Sequence, residues 1–122
     1  MRDHRSLKAW EHARVLSQAA HQFSVRVWHP TLGPALDQLR RSSLSVRLNL
    51  VEGYSWRPSP RWLHHLRIAM GSAVETTECL RFLEEVGALS AQEAMLLLGE
   101  ARVVERLIWG LLQRERGPQG PR

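Results

Sequence analysis

Apolar residues along the chain recur at steps of four and three, the spacing of helix faces, and no segment sustains the alternation of a strand. Four segments carry the pattern. Ala9, Ala13, Leu16, Ala20, Phe23 and Val27 make the first. Leu36, Leu39, Ser43, Val46, Leu50 and Gly53 make the second. Trp62, Leu66, Ala69, Ala73, Thr76, Leu80 and Leu83 make the third, and Ala94, Leu97, Ala101, Val104, Ile108 and Leu111 the fourth. An average step of 3.5 is the seam of helices packed nearly parallel or antiparallel.

Punctuation between the segments agrees with this division. "HPTLGP" breaks the first from the second, with Pro34 suited to a first turn. In "RPSP", Ser59 is an N-cap and Pro60 the first helical position. Gly87 closes the third helix, and "SAQE" from Ser90 to Glu93 is a capping box. Short loops joining four helices predict an all-α, antiparallel up-down-up-down four-helix bundle over residues 1–116, followed by a disordered tail, 117–122.

The second segment breaks the simple pattern. Wound at ~100° per residue, its seam is joined by a second apolar stripe, Leu44, Leu48 and Val51, roughly 120° away. A third stripe is small and polar: Gln38, Ser42, Ser45, Asn49 and Glu52. One apolar stripe suffices for a helix in a lone bundle. Two, with a small polar one between, predict neighbours on most sides, other subunits of a cyclic homo-oligomer among them. Asn49 and Glu52 then satisfy groups that would otherwise be buried unpaired and fix helix register at a crowded contact. Gly53 ends the seam of the same segment. Gly71 and Ser72 have the small size that admits a second helix, and Arg41 is expected to pair with an acid of the third helix, such as Glu75, or of a neighbouring chain.

Charge adds a candidate partner. Net charge is +5 and the pI near 10.9, but the balance is uneven. Residues 36–67 hold six basic and two acidic side chains, whereas residues 68–122 hold six and eight. A basic front and mildly acidic back suits a polyanion. The candidate phosphate contacts are Arg40, Arg41, Arg47, Arg57, Arg61 and Arg67. No recognition motif accompanies them, so the expected ligand is RNA or DNA held by its backbone with little sequence specificity. The competing reading is a structural scaffold that recruits a protein partner, with the arginines serving solubility.

Enzyme chemistry finds little support. Two carboxylates without paired histidines make a poor transition-metal site, so Asn49, Glu52 and Glu75 read as structural. His64 and His65 are adjacent and diverge by ~100° on a helix. No metalloprotease helix, phosphate-binding loop or nucleophile elbow is present. Cys79 falls on an apolar face and excludes an internal disulfide by being the single cysteine. The expectation is no catalysis, no metal and no cofactor. Trp10, Trp62 and Trp109 lie on or beside the seams and are expected in the core, with Trp28 and Trp56 at loop ends. No apolar run approaches the ~20 residues of a membrane span, and a charged N-terminus with one cysteine fits a soluble cytoplasmic protein.

"LKAWEHA", "QLRRSSLSVRLNLVEG" and "IAMGSAVETTECL" resemble the four-helix-bundle family encoded in intervening sequences of bacterial 23S rRNA genes. The family pattern falls on Leu7 and Trp10, on Gln38, Arg41, Ser45, Asn49, Glu52 and Gly53, and on Ala69, Gly71, Ser72 and Glu75. His4 stands where members usually carry phenylalanine, and Arg47 and Leu48 replace small residues. The resemblance implies a homopentameric ring. Through a related branch, the accessory protein of diversity-generating retroelements, it also implies nucleic acid and a reverse transcriptase as partners. It implies no chemistry.

Overall fold

The computed structural model describes residues 3–115, and the expected tail lies outside them. A 3-10 turn, His4–Ser6, leads into four helices: α1 (Lys8–Arg26), α2 (Gly33–Tyr54), α3 (Pro60–Glu85) and α4 (Ala91–Glu115). Among the described residues there is no strand. Each helix packs on its neighbours in the chain and α1 packs on α4, while the diagonal pairs stay apart. The four seams therefore meet along one axis. Leu16, Leu36, Leu39, Leu50, Trp62, Leu66, Leu80, Leu83 and Ile108 are wholly buried there.

Local chemistry sets the boundaries. Asp3 caps the opening turn by accepting from Arg5 N. Ser59 Oγ accepts from Trp62 N and begins α3 with Pro60 in its first turn. Gly87 leaves α3 at φ 82°, a conformation that costs glycine nothing. Ser90 Oγ then accepts from Glu93 N while Ser90 N donates to Glu93 Oε1, the reciprocal capping box. His4 meets Trp10 edge to face at 5.0 Å between ring centroids, so the imidazole occupies an aromatic position against α1.

Two expectations are corrected, for Trp109 and Arg41. Trp109 is 52% exposed, because its place beside the seam turns it out of the core. At Gly71 no helix of the same chain comes close, since a Cβ there would meet no atom within 4 Å. Arg41 is exposed and makes no ion pair with Glu75, whose carboxylate accepts from Gln38 instead. The glycine that does permit close approach is Gly53, packed against Trp62 and His65.

Candidate nucleic-acid interface

The polar stripe of α2 faces α3 and is paired almost rung by rung. Gln38 donates to Glu75. Thr76 Oγ1 lies 2.8 Å from both Ser42 Oγ and the Ser72 carbonyl. The Ser45 and Ser72 hydroxyls are 2.9 Å apart. Asn49 Nδ2 donates to the Ser45 carbonyl at 2.9 Å, which can only accept and so fixes the amide's orientation. Asn49 Oδ1 therefore faces His65 Nδ1 at 2.9 Å, and that nitrogen carries the hydrogen. Glu52 Oε2 stands 3.9 Å from the same nitrogen.

Asn49 and Glu52 thus converge on His65, a residue the sequence left unassigned. Its one signal was spacing, since Asn49 and His65 lie on either side of the α2–α3 turn. The second apolar stripe of α2 points elsewhere. Leu44 and Leu48 are 46% and 51% exposed, and Ile68 on α3 is 38% exposed beside open Gly71. Leu44 borders the α1–α2 side of the helix, whereas Leu48 and Ile68 stand open on the outer surface of their own helices.

The arginines divide into two sets. Arg41, Arg57, Arg61 and Arg67 are exposed. At the α2–α3 turn, the Arg57 guanidinium lies 3.7 Å from the Tyr54 ring centroid and that of Arg61 4.1 Å from the Trp56 centroid. Trp56 is itself half exposed, so arginine and indole form a two-layer stack open to solvent. The other set faces α1. Arg40 pairs with Asp37, three residues earlier. Arg47 lies 5.7 Å from the Trp10 ring and donates to Ser17 Oγ at 3.4 Å. Together they line a groove of about 400 Å³ between α1 and α2.

Burial, with Glu75 and Glu78 adding to it, pushes the Cys79 thiol above its ordinary range, which disfavours the nucleophilic thiolate. The hydrogen bond from Arg26 holds the Glu93 carboxyl below its ordinary range. Among the described residues, no three His, Cys, Asp or Glu side chains gather as metal ligands, and no helix is long and apolar enough to cross a membrane.

A family model described as 23S rRNA-intervening sequence protein matches residues 5–110. Among solved structures, a protein of unknown function from the S23 ribosomal protein family of Bacteroides thetaiotaomicron is similar in fold. It shares 17% identity, with 84% of this chain and 98% of that chain covered and a TM-score of 0.63. No curated protein matches.

Proposed function

The chain belongs to the 23S rRNA-intervening sequence protein family, and from that premise we propose that it binds RNA or DNA by the backbone, without catalysis, as a ring-shaped homo-oligomer. The observation that carries the reading is the exposed stack of Arg61 on Trp56, with Arg57 on Tyr54 beside it. Guanidinium forks grip phosphate oxygens in two places, and a half-exposed indole offers its face to an unstacked base. Arg41 and Arg67 extend the basic surface, and Arg40 and Arg47 contribute from the groove.

The subunit is read as an antiparallel up-down-up-down bundle. Short connections support this, as do pairs such as Asn49 with His65 and Gln38 with Glu75. The exposed Leu48 and Ile68 support assembly, with five subunits the favoured number and Gly71 the point of closest approach. Cyclic symmetry repeats the arginine–aromatic stack in every subunit, so weak single contacts add through effective concentration. A second reading is a scaffold for a protein partner such as a reverse transcriptase. It is favoured by Met95 and Leu96 on α4, 75% and 66% exposed.

The test is a salt titration of labelled single- and double-stranded RNA and DNA against the purified protein, with light scattering alongside. Binding should weaken with a log–log slope of about −0.9 per phosphate neutralised on duplex DNA, or about −0.7 on single strands. Arg57→Glu with Arg61→Glu should weaken all sequences alike. Scattering should give several times the 14.0 kDa chain mass. Absence of binding at about 50 mM salt, or binding indifferent to salt and to these arginines, hands the function to the scaffold reading.

A further inference from the structure

We propose that the groove between α1 and α2 is a seat for a single nucleotide, holding base and phosphate together. Its volume, about 400 Å³, falls within the range of small-molecule sites, roughly 300–1,000 Å³. One wall comes from α2: Arg40, Leu44 and Arg47, set on one face by spacings of four and three. The two guanidiniums spring from positions about 10 Å apart along the axis, at either end of an apolar floor made by Leu44 and their own aliphatic stems.

Both guanidiniums are held in place before any ligand arrives. Asp37 holds Arg40, while the Trp10 ring and Ser17 hold Arg47. Each guanidinium has five N–H donors, and these contacts leave most of them free. Two positive charges stand against the single Asp37 carboxylate, a surplus that a phosphate would neutralise.

The opposite wall is amide and imidazole. Gln18 accepts from Arg14 at 3.2 Å, which leaves its amide hydrogens for a ligand. His21 and Gln22 line the groove with no side-chain hydrogen bond among the described residues. A primary amide offers donors and an acceptor side by side, the pattern that complements a base edge. An apolar floor, amides on one wall and paired guanidiniums on the other fit a heterocycle bearing a phosphate better than a bare anion. The seat shares Arg40 and Arg47 with the proposed polynucleotide surface, but the stack that carries that reading, Arg57 and Arg61, lies apart at the α2–α3 turn, so this inference does not rest on polynucleotide binding.

The experiment titrates the full chain with the four 5′-ribonucleoside monophosphates, the matching nucleosides and inorganic phosphate, read by calorimetry and by amide chemical shifts. At least one nucleotide should bind with Kd between about 0.1 and 1 mM, shifting the Gln18 and Gln22 side-chain amides. Its nucleoside and phosphate should each bind about tenfold more weakly or worse. Arg40→Met and Arg47→Met should each cost about tenfold or more. Gln22→Leu, which leaves both arginines alone, should erase preference among bases, so loss of the Trp10 contact in Arg47→Met cannot decide the matter alone.

No binding up to about 10 mM, phosphate binding as tightly as nucleotide, or indifference to Arg40→Met overturns the inference. Polynucleotide binding that persists while mononucleotides fail removes this seat alone. The reverse result removes the polynucleotide reading and leaves the seat.

Discussion

Adding one methyl group at Gly53 tests how tightly α2 and α3 are joined. In an alanine at this position the Cβ would stand 2.6 Å from His65 Cβ and 2.7 Å from Trp62 Cε3. Ordinary carbon contacts lie near 3.5–4.0 Å, so about 1 Å must be found on two sides at once. Neither neighbour is the free end of a flexible chain. Trp62 is wholly buried, and His65 Cβ is fixed to the α3 backbone with its ring tied to Asn49. Overpacking of this kind costs about 1–3 kcal/mol, and two rigid neighbours place it at the upper end. Replacing glycine by alanine in a helix returns at most about 1 kcal/mol. The net expectation for Gly53→Ala is a loss of about 2 kcal/mol, or a fall in Tm of roughly 6–10 °C for a chain of this size.

Gly71→Ala separates the α2–α3 contact from the subunit contact. Its Cβ meets no atom of its own chain within 4 Å, so the fold of the single subunit should lose nothing and any cost should appear in assembly, read by light scattering. Thermal and urea unfolding followed by circular dichroism would measure both variants. A Gly53→Ala protein as stable as the wild type would refute the packing argument, because the two helices would then have slack that the distances deny.

Three further expectations follow from the same structure. Thr76→Val removes the buried hydroxyl that meets Ser42 Oγ and the Ser72 carbonyl, and urea unfolding should show a loss of about 1–2 kcal/mol. Glu93 has its folded pKa depressed by the Arg26 hydrogen bond below an ordinary 4.5. Its contribution is therefore present above that pH and lost as pH falls through the folded value. Melting curves from pH 7 to 3 should show part of the acid destabilisation missing in Glu93→Gln. Cys79, half-buried with a raised thiol pKa, should react with a thiol reagent at pH 7 more slowly than free cysteine and reach the free rate in denaturant. Rapid labelling of the native protein would contradict its placement.

What the sequence determined by itself is what depends on neighbours along the chain. Four helices, the capping serines, the prolines in first turns and the left-handed Gly87 were all legible, because hydrogen bonds and backbone preferences within a few residues decide them. The seam residues were legible too, since a buried face must recur at helical steps. Tertiary structure decided everything that depends on how one helix is rotated against the next. Trp109 and Trp10 both lie beside a seam, yet one is half exposed and the other packs against Arg47, because a turn of a few tens of degrees carries a rim residue in or out. The polar stripe of α2 was visible, but its partners on α3 were not: Glu75 took Gln38 in place of Arg41, and His65 took Asn49. Gly53 and Gly71 look alike as letters, and only the facing helix makes one a necessity and leaves the other in open space. The groove with Arg40 and Arg47 has the same origin, since its far wall is supplied by α1, some twenty residues earlier in the chain.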